Sequence, residues 1–328
     1  MMKVKIKTRV VGIDVGVETT TIAIVDIRGN IIAHDTLQTS NFPDVNNFSS
    51  ALSEKIVVLA EANGGCESIR SVGMSAPSGN YLTGCIENAP NLPWKGVIPL
   101  AAMLRDRLGM AVALANDAHI TALGELGFGS AHGMNNFIVV SLSHGGVGSC
   151  IFANGQAHLG VDGFAGEVGH VCVEVGGREC GCGRRGCLEQ YTSANGIIRT
   201  AHELIEKDSR PSILRQQVGM LTPKTIVGAC EQGDELAIET MRLVGYKLGI
   251  GLAIYASVID PEAIVLTGQQ SRLGEWLTDP MEQSFDEHVF PNIRGKVPII
   301  ASILDDKERD VLGASVLAWK VKEYSLFK

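Results

Sequence analysis

The sequence predicts an α/β protein of two similar halves facing each other across a cleft. Three observations carry that reading. The chain has 328 residues, room for about two domains at roughly 150 residues apiece. Residues 10–35 run strand, glycine bend, strand, tight turn, strand, and residues 137–159 repeat the plan. Segments with helical apolar spacing follow each copy. Hairpins are common, so the pattern leaves chance recurrence open beside true duplication.

The elements follow in order. Val10 to Val15 is a short apolar run with β-branched residues, the signature of a buried strand. Thr20 to Asp26 is a second strand, Arg28-Gly29-Asn30 a turn, and Ile31 to Asp35 a third strand. A helix is expected from Asp44 to Ala62, stopped by Gly64-Gly65. Ser68 to Ser75 reads as a strand, Leu100 to Leu108 as a helix and Ala111 to Ala115 as a short buried strand. In the second copy, strands are expected at Phe137 to Leu142 and Val147 to Ala153, with Asn154-Gly155 as a hairpin turn. Ala194 to Lys207 and Asp234 to Ser257 read as helices, the latter with glycines suited to tight packing. Strands at Ala263 to Leu266 and Val297 to Ser302 precede a closing helix from Asp310 to Tyr324. The expected division is a small α/β domain over 1–115, closed by the C-terminal helix 308–328, and a large α/β domain over 116–307.

Composition narrows the function. Apolar residues at 45% and charged residues at 20% suit a globular core. A net charge of −8 argues against a basic footprint for nucleic acid or anionic membranes. Lys3, Lys5, Lys7 and Arg9 alternate with apolar residues and read as a lead-in strand, not a targeting segment. No run of about 18 uncharged apolar residues occurs, so no membrane span is expected and the cytoplasm is the expected compartment.

The strongest chemical signal is Cys180-Gly-Cys182-Gly-Arg-Arg-Gly-Cys187 with His170 upstream. Three thiols and an imidazole match a closed tetrahedral Zn²⁺ site, hence a structural ion. Its expected task is to hold Glu189 and to fix the His170 imidazole. The second signal is Gly163-Phe-Ala-Gly166-Glu167-Val-Gly169-His170. Glu167, His170 and Glu189 together offer the donors and acceptors that a polyhydroxylated ligand needs. The plainer alternative is that Glu167 caps a helix and His170 is a metal ligand only. The third signal is Asn116-Asp117 where a buried strand enters a helix. These residue types are first of all N-caps; the functional reading is a general base at the carboxyl end of a strand. The fourth is a pair of glycine bends, Asp14-Val-Gly16 and Ser143-His144-Gly145-Gly146, which could cradle phosphates with backbone N–H groups.

Taken together, the chain resembles the ROK family of bacterial sugar kinases and sugar-responsive repressors, in the hexokinase/actin superfamily. The resemblance rests on Gly12-Ile-Asp14-Val-Gly16, Pro90-Asn91-Leu-Pro-Trp94, Asn116-Asp117-Ala118, Gly166-Glu167-Val-Gly169-His170, the Cys180–Cys187 run with Glu189, and Asp310-Val-Leu-Gly313-Ala. It is closest to the glucokinase-like branch. It implies two ribonuclease-H-like domains flanking a cleft, with a zinc-binding loop over 170–187. It implies ATP, Mg²⁺ and phosphoryl transfer to the 6-hydroxyl of a hexose. Asp117 would then be the general base, and Asn91, Asn116, Asp117, Glu167, His170 and Glu189 would hold the sugar. Asp14, Gly16, Gly145 and Gly268 would face the nucleotide, its phosphates and Mg²⁺. Family members are commonly dimers or tetramers, so a homo-oligomer is expected. The repressor branch carries an N-terminal helix-turn-helix; about ten residues precede the first strand here, so DNA binding is not expected.

The chain departs from the family pattern on the nucleotide side. Where the family reads Asp-x-Gly-Gly-Thr, this chain has Asp14-Val15-Gly16-Val17-Glu18. Val17 resists the positive φ that a glycine allows. Glu18 brings a charge, and two like charges about 4 Å apart repel by roughly 4 kcal/mol at an effective dielectric of 20. His144 replaces a threonine, Gln269 a glycine, and His119 and Ile120 replace small residues. These departures support an alternative: a catalytically impaired sugar-binding or regulatory relative using the same pocket.

Overall fold

A computed structural model describes residues 7–143 and 146–321. His144, Gly145, most of the expected lead-in strand and the far end of the expected closing helix lie outside the described residues.

Along the chain the first elements are β1 (Arg9–Val15), β2 (Thr19–Asp26), β3 (Ile31–Gln38), α1 (Val45–Ala62), β4 (Ile69–Ser75), β5 (Gly79–Asn80), β6 (Cys85–Glu87), β7 (Val97–Ile98), α2 (Leu100–Leu108), β8 (Ala111–Ala115) and α3 (Asp117–Phe128). Then come β9 (Phe137–Leu142), β10 (Val147–Ala153), β11 (Gln156–Ala157), α4 (Glu189–Thr192), α5 (Ala194–Lys207), α6 (Pro223–Cys230), α7 (Glu235–Ile259), β12 (Ala263–Thr267), α8 (Glu275–His288), β13 (Ile299–Ala301) and α9 (Arg309–Lys320). They sort into two compact units: Met1–His132 with Gly160–Gly163 and Ile303–Lys328, and Gly133–Leu159 with Phe164–Ser302. α3 therefore belongs to the first unit.

The first unit is built on a sheet of order β3-β2-β1-β4-β8. β1, β2 and β3 form an antiparallel meander, and β4 and β8 run parallel to β1. β1 is apolar on both faces because both are covered. Val11, Ile13 and Val15 pack with Phe48, Leu52 and Ile56 of α1 and with Leu100 and Leu104 of α2. Val10 packs with Val311, Leu312 and Ala318 of α9. α9 lies directly on the sheet: a Cβ at Gly73 would come within 2.0 Å of the Ala314 carbonyl oxygen, and one at Gly12 within 2.3 Å of that of Val311. Registers Asp14↔Ser75 and Ser75↔Ala115 align the carboxyl ends of β1, β4 and β8.

The second unit has a sheet of order β11-β10-β9-β12-β13, with the same antiparallel meander and two parallel strands. The two sheets therefore share one topology, which favours duplication over chance recurrence. The tight turn of this copy has Asn154 at φ 54° and Gly155 at φ 74°, as a two-residue hairpin turn requires. α7 is long and apolar enough, by length and composition, to cross a membrane. Leu236, Met241, Val244, Leu248, Leu252 and Ala256 instead join the core of this unit, while Ile254 stays exposed. Its glycines do bring a neighbour close: a Cβ at Gly249 would stand 2.4 Å from the Met281 carbonyl oxygen of α8.

Some elements were not foreseen: the small sheet β5-β6-β7 and helices α6 and α8. β13 is shorter than the expected 297–302 strand, and β3 runs on to Gln38.

Candidate active site

In the first unit the aligned strand ends gather carboxylates. Asp14 is the last residue but one of β1, and Asp310 is the second residue of α9, held by Thr121 Oγ1 at 3.3 Å and Arg309 Nε at 3.4 Å. Asp117 is the first residue of α3. Asn116 is the N-cap, its Oδ1 accepting from His119 N–H at 2.8 Å. Capping thus uses the Asn116 acceptor and leaves its amide as a donor, while Asp117 is not the cap. Asp117 Oδ1 accepts from Ala118 N–H at 3.1 Å, and the residue is exposed.

The surrounding protein disfavours charge on all three. Desolvation, joined by the Asp310 charge and then that of Asp117, pushes the Asp14 carboxyl up to about 7. The Asp117 side chain reaches solvent, yet the protein atoms around it desolvate it and the Asp310 charge adds to this, outweighing the Ala118 N–H bond and raising its pKa; desolvation likewise outweighs the pull of Arg309 in raising Asp310. The buried Ser75 stands opposite Asp14, and its hydroxyl acts on the Asp14 carboxyl, offsetting part of the rise. Asp14 and Asp310, close enough for the charge of one to act on the other, are a donor set that fits a hard divalent cation.

The glycine bend after Asp14 differs from expectation. Gly16 N–H donates to the Thr19 carbonyl at 3.2 Å, and no residue of the turn has positive φ. Val17 therefore sits there without backbone strain. Glu18 is exposed, and its carbonyl accepts from Thr39 and Ser40 N–H. Asn91 is exposed, on a loop pinned by Trp94, whose indole N–H donates to the Phe42 carbonyl at 2.9 Å. His119 is buried and edge-on to Tyr81 at 5.5 Å. Desolvation pushes its pKa down to about 4.

In the second unit the start of β10 organises the other predicted residues. Val147 N–H donates to Glu189 Oε2 at 3.1 Å. Gly146 makes room for that carboxylate: a Cβ there would lie 2.5 Å from Oε2. Two residues on, Ser149 Oγ donates to the Gly166 carbonyl and accepts from Val168 N–H at 2.9 Å. One strand end thus carries Glu189 and the Glu167–His170 turn together. Glu167 stands at the cap position of the 3₁₀ turn Val168–His170, but its side chain makes no capping bond. Ser149 had no motif to reveal it; only its place on a strand beginning at a glycine bend could have pointed to it.

The four predicted ligand residues converge. One donor atom from each of His170, Cys180, Cys182 and Cys187 lies within 4.8 Å of the others. Cys182 and Cys187 Sγ are 3.7 Å apart, and Cys180 Sγ lies 3.6 Å from His170 Nδ1. A tetrahedron with Zn–S bonds of about 2.3 Å has edges of about 3.8 Å. Nδ1 of His170 thus faces the thiols and Nε2 remains for a ligand. Arg178, also missed, anchors the loop: it donates to the Gln190 and Gly196 carbonyls and pairs with Glu203 at 2.8 Å.

A pocket of about 1000 Å³ opens in this unit beside Gly268, lined among others by Gln269, Gln270, Arg272, Trp276, Thr222 and Lys224. Gly268 follows β12 with φ 85°. Gly145 lies outside the described residues.

This arrangement matches a known group over nearly its whole length: the ROK family model fits residues 10–321. The chain belongs to the ROK family. It is 32% identical over 321 residues to a glucokinase of Halalkalibacterium halodurans, covering 95% of this chain and 94% of that one. It is 27% identical to a xylose repressor of Bacillus spizizenii, covering 93% of this chain and 75% of the repressor. Among solved structures, a ROK glucokinase from Streptomyces griseus in complex with glucose and AMPPNP is 29% identical, with a TM-score of 0.74 over 95% of this chain and 100% of that one. The mixed α/β ROK fold with its two domains is thereby established, and sugar kinases are among the chain's relatives.

Proposed function

We propose that the chain is an ATP-dependent hexose kinase of glucokinase type, with Asp117 as the general base for the sugar 6-hydroxyl. The observation that carries this reading is Asp117 itself. It follows the carboxyl end of a buried strand, is spared from capping by Asn116, and has a basicity raised by its surroundings. A base whose pKa moves toward the working pH takes a proton more effectively. Glu167, Glu189 and His170 Nε2 hold the hydroxyls of the sugar, Asn116 and Asn91 add amide contacts, and the acceptor is oriented rather than chemically activated. In phosphoryl transfer, such positioning and charge stabilisation do most of the work.

His170, Cys180, Cys182 and Cys187 hold a structural Zn²⁺, which keeps the imidazole and the backbone leading to Glu189 in place. Asp14 and Asp310 are the groups that would hold Mg²⁺, which neutralises phosphate charge when bound. The pocket beside Gly268 takes the nucleoside, with Trp276 offering a stacking face and Lys224 and Arg272 positive charge. The test is hexose-dependent ADP release. Wild type is expected to turn over at least one hexose, and Asp117→Asn to lose about 10²–10⁴-fold in kcat, with a much smaller change in sugar affinity.

A second reading, a sugar-responsive protein without turnover, is favoured by Glu18. Its exposed carboxylate stands in the turn after Asp14, where a triphosphate would meet like charge. Sugar binding with no ADP release from any common hexose or N-acetylhexosamine decides for it.

A further inference from the structure

The metal loop carries one thiol more than a tetrahedral ion requires. Cys172 lies outside the four-residue cluster and is exposed, whereas Cys187 is buried within the cluster. The two face each other in an isolated antiparallel bridge. The flanking bonds run from Val173 N–H to the Gly186 carbonyl and from Leu188 N–H to the Val171 carbonyl, both at 2.9 Å. Those bonds join the neighbours and not the pair itself, so Cys172 and Cys187 occupy a non-hydrogen-bonded position, where Cα atoms stand about 4.5 Å apart. Directly opposite residues also project to one face, with Cβ atoms about 4.5–5.5 Å apart. A disulfide spans Cα separations of about 4.4–6.8 Å. The backbone therefore already has the spacing of a bridge. The Cys172 thiol is turned toward the opposing strand as well: its Sγ lies 3.2 Å from where a Cβ on Gly186 would be.

We propose that Cys172 and Cys187 form a reversible cross-strand disulfide, an oxidation site at which a hydroperoxide withdraws one thiolate from the metal cluster. Cys172 reacts first because it is exposed and outside the ligand set. Its sulfur displaces water from hydrogen peroxide, giving a sulfenic acid. The Cys187 thiolate then attacks that sulfur, the S–S bond forms, and hydroxide leaves and takes up a proton. Two sulfurs together lose two electrons, and one peroxide becomes two waters. Three donors remain at the site, too few for a closed tetrahedral shell, so the metal is held weakly and released. Glu189, two residues beyond Cys187, loses its anchor, so oxidation couples to sugar binding. The release step rests on the zinc reading above; the disulfide does not.

The experiment treats the purified full chain with hydrogen peroxide and follows metal release with a chromogenic chelator. Disulfides are mapped in parallel by differential alkylation and mass spectrometry. The expected result is a linked Cys172–Cys187 peptide that accumulates together with metal release, and reversal of both by dithiothreitol with added zinc. Cys172→Ser and Cys172→Ala keep all four ligands and are expected to slow release several-fold. Linked peptides joining only Cys180, Cys182 and Cys187, or equal release from wild type and both variants, overturn the proposal. Protein that holds no zinc even after zinc is added refutes the metal reading instead, while the peptide map still decides the disulfide.

Discussion

Replacing Gly146 with alanine tests whether the start of β10 sets the sugar affinity. The new Cβ would lie 2.5 Å from Glu189 Oε2 and 3.3 Å from its carboxyl carbon. The obstacle is the end of a flexible side chain, so the carboxylate gives way and the fold survives. What is lost is the 3.1 Å bond from Val147 N–H to Glu189. A hydrogen bond to a charged group contributes about 1.5–3 kcal/mol, equivalent to roughly tenfold to a hundredfold in affinity. The assay is calorimetric titration with the hexose that wild type binds best, without nucleotide, alongside zinc content and melting temperature. The expected result is a Kd raised within that range, with zinc retained and melting temperature close to wild type. An unchanged Kd in a folded, zinc-loaded variant would refute the reasoning, because Glu189 would then not need its seat.

Three further outcomes follow from the same geometry. Gly73→Ala drives a methyl group into the Ala314 carbonyl of α9, so it should destabilise the first unit by about 3 kcal/mol in urea titration. His119 has its pKa lowered to about 4 from 6.5; it stays neutral in the native state while the unfolded chain protonates, so its stabilising contribution is complete above pH 6.5 and shrinks as pH falls toward 4. The loss amounts to about 3 kcal/mol, and the drop in melting temperature between pH 7 and pH 4.5 should be smaller in His119→Phe than in wild type. Removing the metal with a strong chelator should lower both melting temperature and sugar affinity, and added zinc should restore both; sugar affinity that survives verified zinc removal would separate the ion from Glu189.

Much of the fold was legible because its core strands are short apolar runs bounded by glycine or turn residues. α2, β8 and α5 fall where the sequence placed them, since each has an unbroken local pattern and a clear stop. α8 escaped notice because Gly274 offers no capping side chain and Pro280 sits inside the helix. β5, β6 and β7 have two or three residues each, too few for alternation to be seen. The cluster of Cys180, Cys182, Cys187 and His170 was legible because the spacing of candidate ligands is itself a chemical constraint. Ser149, Ser75 and Arg178 were not, because a single serine or arginine acquires meaning only from the atoms set against it.

The sequence by itself determined the family, the doubled strand plan and the residue types at the candidate site, because apolar periodicity and ligand spacing are properties of neighbours along the chain. Only the tertiary structure decided that Asn116 caps α3 and leaves Asp117 outside the cap, that Val17 occupies its turn without strain, and that Cys172 faces Cys187. Each of these depends on distances between segments, set by how sheets and helices pack, which no local pattern encodes.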